Sequence, residues 1–493
     1  KSTFYRRFRR KFICMDLRCI FLSLCLVPLT FFAQVFQFNQ NLHQAPTTDI
    51  IDFGYRPAPV GTKNGFIKRL DKSYLGQYTD SNNAFIAATP LCGFSVGVEN
   101  DESAIRYQNS RGLMVLGGYR KFKCHGFLIE NQAVFNTFQR EFITQHGEYY
   151  PTATGYNQQN GMIPGMGRTK PFHGDGFDFA FSQGGFEWGV SNTLTLFGGN
   201  QSIDFCPGIR SVFWSQHNQA LMAGGTLRLG KHFTYVVTRA RLYDLIRKPI
   251  YANVESPYYK KNFGLHAMFL TLKKHRVGVI YQTIWQAGDS LKENAVNPMY
   301  WVPIPGLDRT VKQGVSMPQI GLNYSWNLHE STLLYGELFS RGLIKNAWAA
   351  QLGITNYSKL TSNLTLSSSL AWLQTGTGFY GTHYAQNFTH QNLPLGTLLG
   401  NGAQEFLLTA RIEYRRFFMD YLFHLSTMKN GIQPLLLQTY IRPEQIIQHR
   451  IDLGFMASNI MQLELFLGIT LRQAVGFKEC KAISFGLRTA IFK

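Results

Sequence analysis

Apolar and polar residues alternate one by one along much of this 493-residue chain, most clearly toward its C-terminus. Ile451, Leu453, Phe455 and Ala457 interleave with Asp452, Gly454, Met456 and Ser458. After Asn459 the series Met461, Leu463, Leu465, Leu467, Ile469 and Leu471 interleaves with Gln462, Glu464, Phe466, Gly468, Thr470 and Arg472. A third run sets Ile483, Phe485, Leu487, Thr489 and Ile491 against Ser484, Gly486, Arg488, Ala490 and Phe492. A period of two puts every second side chain on one face of a strand and cannot bury one face of a helix. Leu364, Leu366, Leu370 and Trp372 repeat the theme, as do Phe417, Met419, Tyr421, Phe423 and Leu425. The latter run leads into Asn430-Gly431, a tight-turn signal, and predicts a return strand over Leu435 to Tyr440.

Such strands fit either a soluble sandwich or propeller, or a membrane barrel whose alternate side chains meet lipid. Propellers repeat every 40 to 50 residues or so, and no such repeat is visible. At about 23 residues per strand and connection the chain predicts an all-β, transmembrane antiparallel barrel of about 18 strands. Composition agrees. Only 16% of residues are charged and 14% aromatic, yet the mean hydropathy of -0.13 excludes a bundle of membrane helices. A soluble chain carries roughly 25% charged residues, so part of the surface faces something other than water.

Met15 to Gln34 (MDLRCIFLSLCLVPLTFFAQ) has the flanks and length of a signal peptide, with cleavage expected after Ala33. The expected organisation is thus an upstream extension and signal peptide over 1–33, a polar periplasmic or lumenal extension over 34–84, and an outer-membrane barrel over 85–493. The net charge of +20 falls partly on the leader, but the remainder is also basic. For an exported chain that balance points to lipid headgroups, lipopolysaccharide or acidic polysaccharide, not nucleic acid. Cys92, Cys124, Cys206 and Cys480 are too scattered for a zinc or redox motif, which leaves one or two disulfides open.

Four segments carry a family resemblance. Pro164 to Phe172 (PGMGRTKPF) with Gly176 to Ser182, Leu196 to Ser215 (LFGGNQSIDFCPGIRSVFWS), Asn297 to Gly321 leading to Leu334-Tyr335-Gly336-Glu337, and Tyr384 to Glu405 (YAQNFTHQNLPLGTLLGNGAQE) follow one another in a matching order. They resemble the outer-membrane capsule-assembly family called Wzi, and more closely its gliding-motility relative RemB. Asp204-Phe205-Cys206-Pro207 departs from the glycine-richer turn of that family, and Gln216-His217 stands where an aspartate is common. The resemblance implies an 18-stranded barrel associated with capsular or other surface polysaccharide, or with adhesion and gliding alongside other surface or motility proteins. It implies no catalysis and no cofactor.

Sugar recognition uses flat aromatic faces together with Arg, Asn and hydroxyl groups. Arg210, Ser211, Trp214 and His217 offer that chemistry, with Tyr384 and Asn387 in the Pro394-Leu395-Gly396 connection as further candidates. The structural alternative pairs Arg210 with Asp204 or Asp178 and places Trp214 in an interfacial girdle. Tyr380, His383, Tyr384 and His390 lack metal-ligand spacing. His173-Gly174-Asp175-Gly176 is the one stretch that invites a lipase or protease reading, and no GxSxG elbow accompanies it. A diffusion channel or hydrophobic-solute transporter is the competing function.

Overall fold

The computed structural model describes residues 76–79, 84–100, 105–288 except 204, 207, 209 and 216, 302–307, and 318–489 except 330, 343, 382–385, 430, 431, 434–439, 442 and 459–462. The signal segment and the extension up to 75 lie outside these residues.

Eighteen antiparallel strands follow in chain order: β1 (Ala84–Glu99), β2 (Arg106–Tyr119), β3 (Phe122–Val134), β4 (Gly176–Gly189), β5 (Leu194–Gln201), β6 (Ala220–Leu229), β7 (Phe233–Arg247), β8 (Tyr258–Leu272), β9 (His275–Gln286), β10 (Gln319–His329), β11 (Thr332–Arg341), β12 (Trp348–Lys359), β13 (Leu364–Thr375), β14 (Ala403–Tyr414), β15 (Phe417–Met428), β16 (Gln445–Ser458), β17 (Leu463–Ala474) and β18 (Cys480–Arg488). Each pairs with the next, and β18 returns to β1, Gly93 opposite Arg488 through Glu99 opposite Ala482, so the sheet closes on itself. The earlier half of β1 pairs instead with Gly76–Thr79. The partner of β15 is Gln445–Ser458; Asn430, Gly431 and, of the expected return strand, Leu435 to Thr439 fall outside the described residues.

The alternation in the sequence becomes inside and outside. On β17, Leu465, Leu467, Ile469 and Leu471 are exposed while Glu464, Phe466 and Arg472 are buried inward; on β18, Ile483 and Phe485 are more than half exposed and Arg488 is buried. Ile320, Leu322, Leu338, Leu352 and Leu453 continue the band on other strands. A soluble monomer does not carry so large an apolar surface, and each such side chain gains roughly 1.5–3 kcal/mol on leaving water. Hydrocarbon is therefore the medium that covers the band.

The two ends of the barrel differ. At one, strands join through 120–121, 190–193, 230–232, 273–274, 330–331, 360–363, 415–416 and 459–462. At the other, the connections include 135–175, 202–219, 248–257, 287–318, 376–402 and 429–444. Exposed Tyr119, Phe122, Trp188, Phe233, Tyr414 and Phe417 all flank the short turns, forming the aromatic girdle expected at a membrane interface. Short turns on one side and long loops on the other are the asymmetry of outer-membrane barrels.

One part of the outer wall is polar. Tyr235 and Arg239 of β7 and His266 of β8 point outward, where neighbouring strands carry aliphatic residues, and segment 302–307 covers them. The Tyr235 hydroxyl donates to the Pro303 carbonyl (2.7 Å), and Arg239 Nη2 donates to the Val302 carbonyl (3.1 Å) and to His266 Nε2 (3.0 Å). Nε2 then accepts, so Nδ1–H donates to the Tyr235 hydroxyl at 2.6 Å and the ring is neutral. Satisfied in this way, the polar groups are tolerated on a wall that otherwise faces lipid.

Candidate functional site

Parts of connections 135–175, 202–219 and 376–402 fold into the lumen, and buried carboxylates on the wall hold them. Connection 202–219 leaves the wall between β5 and β6 and reaches β14, half-way round the ring. There Arg210 Nε and Nη2 both donate to Glu405 Oε1 at 3.2 Å, beside His424 Nε2 at 3.3 Å. Glu337 of β11 accepts from Ser211 Oγ (3.1 Å), the Val212 amide (3.0 Å) and Asn323 Nδ2 (3.2 Å). Val212, Phe213 and Trp214 then fill a lumenal core with Phe263 and Phe269 of β8, Phe339 of β11 and Leu373 of β13.

Connection 376–402 packs beside it. Tyr380 donates to the Val212 carbonyl at 2.7 Å, and Asn218 Nδ2 donates to the carbonyls of Pro394 (2.8 Å) and Leu395 (2.9 Å). A Cβ on Gly396 would lie 2.2 Å from both the Val212 carbonyl oxygen and the Tyr380 hydroxyl, so only glycine allows the two connections to approach this closely. The fully buried Lys261 ammonium of β8 fastens the segment through Asp244 Oδ2 (2.8 Å), Asn387 Oδ1 (2.9 Å) and Thr389 Oγ1 (2.8 Å). His390 is held neutral. Its Nε2–H donates to the Gln219 carbonyl (2.9 Å), Nδ1 accepts from the Tyr243 amide (3.2 Å), and burial, opposed by Asp244, pushes its pKa down to about 4.

Connection 135–175 carries the helix α1 (Thr137–Gln145), started by Asn136 and Gln139 in a capping box. Phe138 sets it against Cys480 and Ala482, and Ile143 packs with Ile129, Ile163 and Met166. His146 closes the helix, and burial lowers its pKa to about 4 despite the bond from Nδ1 to the Phe142 carbonyl (2.8 Å). Two residues on, Glu148 is completely buried and accepts from Arg168 (2.7 Å), Asn160 (3.0 Å), Tyr258 (2.7 Å) and Arg247. Burial works against its charge, but these four donors prevail and hold the carboxyl down at about 2. Toward the turn end, Arg488 binds Glu464 (3.0 Å), Asp452 (2.8 Å) and Asp420 (3.0 Å) from three successive inward faces, sharing Glu464 and Asp420 with Arg411 and Asp452 with Arg450.

The sequence candidates fall unevenly on this arrangement. Arg210, Ser211, Trp214 and Asn387 belong to the lumenal plug, the first two and Asn387 bonded to Glu405, Glu337 and Lys261 of the wall and Trp214 to Asn218 of the plug; His217 is half-buried beside them, and Tyr384, like His383, lies outside the described residues. Arg210 pairs with Glu405; Asp178 is exposed, and Asp204 lies outside the described residues. Trp214 sits in the lumenal core, its Nε1–H on the Asn218 carbonyl at 2.7 Å, and not in the girdle. His173 packs edge-on against Phe172 while Asp175 pairs with Arg140. Among the described residues no cluster could hold a metal, and no disulfide joins Cys92, Cys124, Cys206 and Cys480, a pairing the sequence had left open. Sequence reasoning missed Glu148, Glu337 and Glu405. The available signal was an acid at an inward position of an alternating strand, as in Leu334-Tyr335-Gly336-Glu337-Leu338.

No family model matches the chain, and no curated protein matches it by sequence. Among solved structures it is similar to Wzi, described as an outer membrane protein involved in group 1 capsule assembly in Escherichia coli and a carbohydrate-binding β-barrel, with 12% identity over 80% of this chain and 83% of that one and a TM-score of 0.49. It is also similar to the outer membrane protein OpdK from Pseudomonas aeruginosa (9% identity, 82% and 98% coverage, TM-score 0.43) and to a porin mutant of Rh. blastica (9% identity, 82% and 99% coverage, TM-score 0.35).

Proposed function

We propose that this chain is a noncatalytic outer-membrane barrel that associates with capsular or other surface polysaccharide at the end bearing its long connections, which faces the exterior. The observation that carries this reading is the Arg210–Glu405 clamp, which ties a connection from one side of the ring to the opposite wall and fills the lumen. A barrel whose loops are locked inward by buried ion pairs is poorly suited to free diffusion, so its outer mouth is the working surface. The ordered resemblance of 164–182, 196–215, 297–321 and 384–405 to the capsule-assembly family supports the same role, with adhesion and gliding as its cellular expression. Arg210, Ser211, Trp214 and Asn387 act in this reading as the frame that positions the mouth, and His217 and Tyr384 are the residues of that set at which sugar contact is to be sought. Purified protein in planar bilayers is expected to stay closed while binding acidic polysaccharide in a salt-sensitive manner. Stable open pores without polysaccharide binding would replace this function with transport.

A further inference from the structure

The mouth of the barrel carries a second set of aromatic and basic residues, outside the plug. Residues 148–152 and 155–159 form a hairpin that meets the end of β7, Tyr149 beside Ile246. Tyr150 shares a face of that hairpin with Glu148 and, across the strand pair, with the exposed Asn157. Glu148 ties Tyr258 and Arg247 to this face, and Arg247 Nη1 donates to the Ser256 carbonyl at 2.7 Å. Ser256 closes a turn on Tyr251, receiving its amide at 2.7 Å and donating to its carbonyl at 3.0 Å, and the Tyr251 ring stands 56% exposed. Arg168 reaches Glu148 through Nη1 and keeps its side chain 36% exposed. One hydrogen-bonded network, Arg168–Glu148–Arg247–Ser256–Tyr251, thus fixes a partly exposed guanidinium and the exposed Tyr251, and the hairpin ladder sets the half-buried Tyr150 and the exposed Asn157 on the Glu148 face.

From this geometry we infer that the mouth between hairpin 148–159 and connection 248–257 binds an anionic, uronate-bearing glycan. Tyr150 and Tyr251 stack on sugar rings, Asn157 meets hydroxyls, and Arg168 pairs with the carboxylate. Tyrosine rings present rigid apolar faces to C–H groups at low entropic cost, and the guanidinium fork matches a carboxylate. Two guanidinium groups answer the single Glu148 carboxylate, so the cluster keeps a positive charge. Glu148 is the positioning residue of the set. This inference rests on the polysaccharide reading above and gives it a place and a ligand class.

The test uses the full chain in detergent or lipid discs, with alginate oligouronates as probe and dextran oligosaccharides as the neutral control. The wild type is expected to prefer oligouronate and to lose affinity as salt rises. Tyr150→Ala and Tyr251→Ala should each weaken binding about tenfold, with Tyr150→Phe near wild type. Arg168→Gln should erase the preference for oligouronate over dextran, and Arg111→Gln on the outer wall should change nothing. Each variant is checked for the heat-resistant gel migration of a folded barrel, and the near-surface Arg168→Gln carries the test if a tyrosine variant fails to assemble. Wild-type binding that Tyr150→Ala, Tyr251→Ala and Arg168→Gln all leave intact would overturn this site while sparing the polysaccharide function. A stronger response to dextran would overturn the anionic assignment, and no response to either glycan would overturn both.

Discussion

At the level of single residues, buried charge decides how this lumen is filled. Glu405 and Arg210 are each more than nine-tenths buried, and removing Glu405 takes away a carboxylate that Arg210 and His424 share. Losing half of such a pair typically costs about 3–5 kcal/mol. Glu405→Ala is therefore expected to loosen the plug by that order, read as lower thermal stability together with new conductance in planar bilayers; an unchanged, closed protein would show that the clamp is dispensable. The buried histidines add a pH dependence. His146 and His390 have pKa values lowered to about 4 in the folded state against an ordinary 6.5, so between these limits the unfolded chain binds more protons. Their contribution is fully present above pH 6.5 and is lost as pH falls toward 4. Glu148, held at about 2, loses its contribution only below the ordinary carboxylate value of 4.5. Proteolysis of the plug connections should thus accelerate from pH 6.5 down to 4, and His390→Gln should flatten that profile.

Strands and connections were not equally legible. A strand between lipid and lumen is forced into strict alternation, so β16, β17 and β18 stand out in the sequence, and the number of strands follows from chain length. On this wall Leu467→Arg is expected to cost about 2–4 kcal/mol and Glu464→Gln to act instead through Arg488, a contrast that denaturant unfolding in micelles can measure. The connections carry no period. Their conformation is set by distant partners such as Glu337 for Ser211 and Lys261 for Asn387, separated by more than a hundred residues in sequence. For that reason the sequence shows the residue types of Arg210 and Trp214 but not their partners, Glu405 and Asn218. Several turns were silent for another reason: Arg120, Lys273 and Arg415 adopt positive φ (55°, 47° and 58°) without the glycine or asparagine that usually announces it. Each costs about 1 kcal/mol or more in local strain, and the continuous ladders on both sides hold them there.

The barrel is a ring, and its first and last strands are neighbours. The Cys92 carbonyl accepts from Thr489, 397 residues away, and Gly93–Glu99 lies along β18. Among the described residues such closure contacts are the most distant in sequence, and pairings of this kind form late because loop closure opposes them. A ring also has no partial version. Deleting Cys480–Arg488 would leave two unsatisfied ladders facing each other across a gap too wide for β17 and β1 to bridge without re-registering every neighbour. The expected product is aggregate or degraded chain instead of a seventeen-membered cylinder, so quality control in the cell has a single criterion to inspect: whether the seam has been sewn.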